Sequence, residues 1–258
     1  MLKRRTLVAG MAGLPMAAFA ANMGLAGFVR AEENTMSDTI ATAQGDLLIH
    51  PVEHASLVLQ WDGRVIYVDP VGGAARYQHL TAPTAILITH GHGDHFDLPT
   101  LEDLAPGLPM LTNPDVLEKL PEALRDHATA LANGESGDLD GVPLRAIAAH
   151  NVSEDRLRYH PRGVGNGYVL DFAGTSVYVA GDTEPTPDML ALTDIDIAFL
   201  PMNLPYTMTQ QQAAEAIAAF RPAIVYPYNY GGDDLAPLEA AMPQGVQLRL
   251  RNWYPDGA

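Results

Sequence analysis

The apolar positions of the chain form short runs that turn signals interrupt from about residue 45 onward. Two pairs of runs flank tight turns: residues 55–61 and 64–69 around Asp62-Gly63, and residues 168–172 and 176–180 around residues 173–175. Small or polar residues with glycine between two such runs predict a β-hairpin. The same pattern predicts further strands over residues 85–89, 109–112, 143–149, 195–200, 223–226 and 246–250.

Helical periodicity and capping signals fall between these strands. The predicted helices cover residues 98–104, 114–124, 209–220 and 235–241. Asn113 before Pro114 is typical of an N-cap, and Thr209 with Gln212 forms a capping box. The polar, glycine-rich residues 133–141 predict a surface loop. Because a hairpin comes first in each half and strand–helix alternation follows, we expect one α/β domain of two similar halves over residues 45–258.

The amino terminus has the layout of an export signal. Lys3, Arg4 and Arg5 are followed by an uncharged stretch over residues 7–29 and by small residues up to Ala31. This layout predicts a signal over residues 1–31 that resembles the twin-arginine type, and a linker over residues 32–44. The expected location is the periplasm or the exterior. An uncleaved membrane anchor over residues 7–29 and a cytoplasmic protein that starts at Met36 are the alternatives.

Composition restricts the partners. The 258 residues include 15 Lys+Arg against 31 Asp+Glu, a formal net charge of −16. Four of the basic residues lie in the first 30 positions, so the remaining chain is more acidic still. We therefore expect neither nucleic acid nor, after removal of the signal, a stable membrane association. The sequence predicts no oligomeric state. The chain has no cysteine, so a metal ion would be held by histidine, aspartate or glutamate.

The densest chemistry follows the predicted strand over residues 85–89. The segment His90-Gly91-His92-Gly93-Asp94-His95 packs three of the nine histidines into six positions. Imidazoles on a tight loop can converge on a cation, and glycines between them let the backbone fold closely around it. The spacing predicts that His90 and His92 face one metal ion, and that Asp94 and His95 face another. Asp94 is also the candidate catalytic carboxylate.

The pattern Thr-His-x-His-x-Asp-His after a strand resembles the signature of the metallo-β-lactamase fold superfamily. Segments 67–70, 180–183 and 205–209 resemble later parts of that family, and the last of them resembles a subgroup that includes ascorbate-lactone hydrolases. The resemblance implies a four-layer αββα sandwich with one or two metal ions at the sheet edge. It implies that Asp182 bridges the ions and that His150 is the third histidine ligand.

Three candidate positions are less regular. His160, in Tyr159-His160-Pro161, is an alternative ligand or a substrate-binding residue. Asn229 stands where the family usually has a histidine, so we expect the second ion to be loosely bound, missing or completed by His160. His54 resembles a recurrent early histidine of the subgroup and lines the pocket or serves the hairpin.

Arg156, Arg158 and Arg162 form the densest basic cluster after the signal. Because arginine binds carboxylate and phosphate through forked hydrogen bonds, we expect Arg158 to bind an anionic substrate. The alternative is a solvated loop paired with Glu154 and Asp155.

These residues predict a metal-dependent hydrolase that activates water for attack on a small ester, lactone or phosphodiester. The histidine-rich site favours zinc, one or two ions, with iron or manganese not excluded. The competing hypothesis is a non-catalytic metal-binding or interaction protein on a degenerate hydrolase scaffold. Its motivation is Asn229.

Overall fold

The computed structural model describes residues 37–255 and residue 257. The first half of this part of the chain forms one seven-stranded sheet whose strands follow each other in chain order. Its strands are β1 (Asp38–Thr42), β2 (Gly45–Glu53), β3 (Ser56–Trp61), β4 (Arg64–Val68), β5 (Ala85–Leu87), β6 (Met110–Thr112) and β7 (Ala128–Ala130).

The second half forms another seven-stranded sheet, again in chain order. Its strands are β8 (Ser136–Leu139), β9 (Val142–Ala149), β10 (Gly165–Phe172), β11 (Thr175–Val179), β12 (Ile197–Pro201), β13 (Ile224–Tyr228) and β14 (Gln247–Leu248). In each sheet the first four strands pair antiparallel and the following pairs are parallel. The expected similarity of the two halves is therefore confirmed.

Helices cover the outer face of each sheet. They are α1 (Leu98–Leu104), α2 (Pro114–Lys119), α3 (Glu122–Arg125), α4 (Pro187–Leu190), α5 (Gln210–Phe220) and α6 (Ala236–Ala241). The first three pack apolar side chains on the first sheet, and the last three pack on the second. A third cluster of buried side chains from both sheets, including Leu57, Leu87 and Phe199, fills the space between them. The four-layer αββα sandwich is confirmed.

Two-residue turns close the predicted hairpins. Asp62 and Gly63 have φ angles of 48° and 79°, and Ala173 and Gly174 have 52° and 88°. Positive φ at both central positions is the turn geometry that matches the right-handed twist of paired strands. The capping box before α5 is present in both directions, because the Thr209 hydroxyl accepts from the Gln212 amide and the Gln212 side chain accepts from the Thr209 amide.

Three boundaries differ from the sequence prediction. The helix predicted over residues 114–124 is two helices, because Pro121 has no N–H to continue the ladder and forces Leu120 into an extended conformation. The predicted loop over residues 133–141 contains the edge strand β8, whose ladder with β9 is made by the backbone of largely polar residues. The predicted linker over residues 32–44 contains β1.

Strand β1 is held by side chains from the far end of the chain. The Arg251 guanidinium donates to both carboxylate oxygens of Asp38 at 2.9 and 2.6 Å, and the Tyr226 hydroxyl donates to the same residue at 2.7 Å. Trp253, two residues after Arg251, is fully buried between the sheets. The domain therefore includes residues 38–42.

The export signal predicted over residues 1–31 lies outside the described residues. Among the described residues, no helix has the length and apolar character needed to span a membrane.

Candidate metal site

The carboxyl ends of strands from both sheets meet at one edge of the sandwich. The loop of residues 90–95 follows β5 in the first sheet, and Asp182 and Asn229 follow β11 and β13 in the second. Strand ends at a sheet edge are rigid points on which short loops can place side chains accurately. The site is therefore built from both halves of the molecule.

A buried carboxylate organises the first half of the site. Asp69, at the end of β4, accepts hydrogen bonds from the Thr89 amide and hydroxyl at 2.7 and 2.6 Å. It also lies 2.7 Å from Nδ1 of His95, and both side chains are fully buried. A carboxylate on one ring nitrogen fixes the orientation of the imidazole, so the other nitrogen of His95 points into the site.

Three histidines converge in what we call the histidine triad, defined as His90, His92 and His160. Their ring nitrogens lie within 4.8 Å of one another. Nε2 of His90 is 3.1 Å from Nδ1 of His92, and Nε2 of His160 is 3.3 Å from Oδ2 of Asp182. Tetrahedral ligand atoms at 2.0–2.1 Å from a zinc ion are about 3.3 Å apart. The spacing of these donors therefore fits a metal ion.

The buried ring of His160 adds a second sign of a metal site. Its Nδ1 donates to the Tyr206 carbonyl at 3.0 Å, so its Nε2 carries a lone pair. This Nε2 faces Oδ2 of Asp182 at 3.3 Å but makes no hydrogen bond among the described residues, although the side chain is only 6% exposed. A buried polar atom without a partner is costly, and a bound cation would satisfy it.

The structure does not bring His150 into this group. Its Nδ1 bonds to the Asn151 carbonyl at 2.9 Å. Among the described residues, its ring is not part of any group of three or more histidine and carboxylate side chains close enough to hold one metal ion. The third imidazole comes instead from His160, ten residues later. The position of His150 at the end of a strand had suggested it as the third histidine ligand. After β9, however, the chain forms a loop that brings His160 back to the site. The Asn151 amide closes this loop by donating to the His160 carbonyl at 2.8 Å.

Asp182 lies between the triad and a second group of side chains. Its Oδ1 is 3.2 Å from Nε2 of His95 and 2.5 Å from Nδ2 of Asn229, while Oδ2 faces the triad. Gly181 before it has φ +64°, and a Cβ there would come within 2.7 Å of the Asn166 carbonyl oxygen. Only glycine therefore permits the turn that delivers Asp182.

His54 joins this second group from the turn between β2 and β3. Its Nε2 lies 3.2 Å from Oδ2 of Asp94, and Nε2 of His95 lies 3.8 Å from the same oxygen. His54, Asp69 and Asn229 all have positive φ, at 52°, 44° and 43°. Such conformations in non-glycine residues store local strain and cluster at functional sites.

The pKa values of His90 and Asp182 are shifted in the directions that suit cation binding. Burial and the charge of His95 lower the pKa of His90 well below its ordinary value. Burial acts to raise the pKa of Asp182, but its contacts with His95, His160 and His90 together hold that pKa well below the usual range. The site therefore combines a neutral imidazole with an ionised carboxylate, the states that bind metal ions.

A second buried carboxylate holds the loop that carries His160. Glu184 accepts hydrogen bonds from the Val152 and Ser153 amides at 2.8 and 2.7 Å. It also accepts from the Arg156 guanidinium at 2.7 Å and from Gln212 at 3.0 Å. The Arg156 side chain therefore serves to hold this loop. Of the basic cluster Arg156, Arg158 and Arg162, Arg158 is the one that lines the site.

The site opens into a cleft of about 770 Å³. His92, Asp94, His160 and Asp182 line it together with Arg158 and three tyrosines, Tyr159, Tyr206 and Tyr254. The Arg158 guanidinium lies 4.7 Å from the centre of the Tyr159 ring. A cleft of this size admits a small molecule with both polar and apolar parts.

Sequence reasoning did not identify Tyr254, Asn203 or Glu184. Tyr254 contacts His54 across 200 positions, and Asn203 contacts Asn229 from the end of the neighbouring strand. No local motif marks such residues, because their neighbours are set by the packing of the two sheets. The one available signal is that Asn203 lies three residues after the end of a predicted buried strand.

The fold and the site together define the class: a two-sheet sandwich with a histidine–aspartate cluster at the strand ends. The family described as the beta-lactamase superfamily domain matches residues 48–229. A metal-dependent hydrolase of Thermoplasma acidophilum is 37% identical over 164 residues, which cover 59% of this chain and 68% of the relative. Another from Pyrobaculum arsenaticum is 30% identical over 209 residues, 76% of this chain and 88% of the relative.

A solved structure agrees with these relatives. A candidate metal-dependent hydrolase from Parabacteroides distasonis superposes with a TM-score of 0.76 and 38% identity, over 83% of this chain and 97% of that one. The chain therefore belongs to the beta-lactamase superfamily, among its metal-dependent hydrolases. This relationship favours the hydrolase over the non-catalytic alternative.

Proposed function

We propose that the protein hydrolyses a small ester, lactone or phosphodiester that carries an anionic group, with a zinc ion held by the histidine triad and Asp182. One observation carries the proposal: imidazole nitrogens and a carboxylate oxygen converge at the floor of a cleft that Arg158 also lines. Imidazole-rich sites suit zinc, whereas magnesium and calcium prefer oxygen ligands.

A divalent ion in this position would lower the pKa of a water molecule to about 7, far below that of free water, and polarise the scissile group. In this proposal Asp94 orients such a water. Burial acts to raise its pKa, but the hydrogen bond from His54 and the charge of His95 hold that pKa well below the usual range. Asp94 therefore stays ionised and accepts a hydrogen bond at neutral pH, rather than storing a proton.

Arg158 and the tyrosines supply a surface for binding the substrate. Arg158 is exposed, and the rings of Tyr159 and Tyr206 meet edge to face with centres 5.0 Å apart. The exposed ring of Tyr206 also lines the cleft. This combination fits a substrate with a carboxylate or phosphate next to an apolar portion.

The test is a substrate panel on protein that is stripped with a chelator and then reloaded with zinc, iron or manganese. We expect hydrolysis of at least one ester, lactone or phosphodiester only after reloading, and the fastest rate with zinc. The absence of turnover in every reloaded form would contradict the proposal.

Arg158→Ala tests the anionic part of the substrate. We expect KM for the anionic substrate to rise about fivefold to tenfold, the size of one exposed charged hydrogen bond, with little change in kcat. Arg162→Ala is the matched control, because Arg162 lies in the same loop but does not line the cleft. An equal KM in the two variants would remove Arg158 from substrate binding.

We also propose that residues 1–31 export the protein to the periplasm. The support is the basic, apolar and small-residue layout of that segment. Cell fractionation of the full chain and of a variant with Arg4 and Arg5 changed to lysine tests this location. We expect the variant to remain in the cytoplasm, and an unchanged distribution would contradict the twin-arginine route.

A further inference from the structure

We infer that the protein holds one metal ion per chain, in the histidine triad, and that a hydrogen-bond network of Asn229 and His54 replaces a second ion. The inference rests on the proposed function for the first ion and adds the number of ions. We call the space between Asp94, His95, Asp182 and Asn229 the second position. The distances among the histidine and carboxylate atoms do not separate the two positions, because they are 3–4 Å around both.

The two positions differ in which atoms face them. At the histidine triad, the Tyr206 carbonyl accepts the proton on Nδ1 of His160 and leaves the Nε2 lone pair pointing into the site. A lone pair is what a metal ion requires. The fold therefore prepares this position for a cation before any ion arrives.

At the second position, Asn229 presents a donor. Its amide oxygen accepts from Nδ2 of Asn203 at 3.2 Å, which turns its own Nδ2 toward the site. That nitrogen donates to Oδ1 of Asp182 at 2.5 Å and lies 3.3 Å from Nε2 of His95. An amide N–H satisfies the carboxylate, and an amide nitrogen does not ligate metal ions as an imidazole nitrogen does.

His54 presents a donor for a separate reason. The Tyr254 hydroxyl oxygen accepts from the Tyr230 and Gly231 amides at 2.9 and 2.7 Å, which uses both of its lone pairs. Its own proton therefore goes to Nδ1 of His54, 3.1 Å away. The neutral imidazole then carries its proton on Nε2, which donates to Asp94 at 3.2 Å.

Two independent contacts thus aim N–H groups at the two carboxylates that a second ion would need. Asp94 and Asp182 already have hydrogen-bond donors, and displacing those donors would cost the protein both bonds. In this arrangement His54 is a positioning residue, which holds Asp94 through its Nε2–H and is itself held by Tyr254.

The experiment measures metal content rather than activity. The protein is stripped, reloaded with excess Co²⁺ and desalted, and the bound cobalt is measured by elemental analysis and by electron paramagnetic resonance. We expect about one cobalt per chain with the signal of an isolated ion, as in a mononuclear site. Asn229→His should raise the content toward about two and produce spin coupling between neighbouring ions, as in a two-metal site.

His54→Gln is the control, and its cobalt content should remain at about one, because this histidine does not ligate the ion in our proposal. A wild-type protein with two tightly bound ions, one of which is lost in His54→Gln, would overturn the inference and leave the proposed function intact. A reloaded wild-type protein without metal would instead contradict the proposed function itself.

Discussion

The two halves of the molecule build the site in opposite ways, although their sheets share one topology. Apart from His54, the first half supplies its four side chains from one loop of six residues, His90 to His95, directly after a strand. The second half supplies Asp182, His160 and Asn229 from three separate loops. A local loop keeps its geometry through its own spacing, whereas separate loops depend on packing and on contacts between loops.

The buried carboxylates that hold the site loops of the two halves differ in the same way. In the first half, Asp69 fixes the loop by bonding Thr89 and His95. In the second half, Glu184 fixes a loop of about ten residues so that His160 returns to the edge. A single substitution is therefore more able to displace a site residue in the second half than in the first.

The largest expected effect separates His160 from His150. His160→Ala removes one imidazole of the triad, so we expect metal affinity to fall by more than about 100-fold, the upper end for changes in groups that only support a ligand. His150→Ala should leave metal affinity within about threefold, because its ring bonds to the Asn151 carbonyl. Competition with a chromophoric chelator measures both. Equal losses in the two variants would contradict the assignment of the third imidazole to His160 rather than to His150.

A smaller effect concerns the support of the second half. Glu184→Gln replaces charged hydrogen bonds by neutral ones, and we expect the free energy of unfolding to fall by about 2 kcal/mol at neutral pH. Burial acts to raise the pKa of Glu184, but its bonds with Ser153, Gln212 and Val152 bring that pKa below the ordinary value of 4.5.

The sign of the pH dependence follows from this lowered pKa. The contribution of Glu184 is present above pH 4.5 and is lost as the pH falls through the lower folded-state pKa. Urea unfolding at neutral and acid pH should therefore show the gap between wild type and variant closing in acid. Glu154→Gln, an exposed change in the same loop, is the control. A gap that stays constant would mean that the charge of Glu184 does not matter.

The smallest effect tests the support of the first half. Asn113 caps α2 by accepting from the Val116 amide at 2.9 Å and donates to the Thr89 carbonyl at 2.8 Å. Asn113→Ala removes both bonds, and we expect about 1–2 kcal/mol less stability. Asn113→Ser keeps a capping oxygen and should lose about half as much. Thermal unfolding compares them, and equal losses would show that the cap contributes nothing.

The same contrast explains what the sequence could predict. Hairpins, capping signals and the alternation of strands and helices are local, and they predicted one α/β domain of two similar halves. The four-layer sandwich was implied only by the resemblance of the motifs to a known family. The cluster over residues 90–95 was readable for the same reason, because its members are neighbours in the chain. The choice between His150 and His160 was left open, since no local pattern shows how far a loop turns back.

The sequence prediction also differed from the structure at edge strands and at interrupted helices. The strand β8 is polar because one side of an edge strand faces solvent, so its composition resembled a loop. Asp140-Gly141, with φ angles of 54° and 79°, was the hairpin signal that could have revealed it. The contact of Tyr254 with His54 joins residues 200 positions apart and depends on the whole fold.

The histidine triad takes two members from the first half and one from the second, which has a consequence for folding. Each sheet joins strands in chain order, so each half can gather its own contacts early. The three imidazoles become neighbours only when the sheets dock. A bound ion would then act as a staple across the two halves, adding its binding free energy to the docked state and none to either half alone.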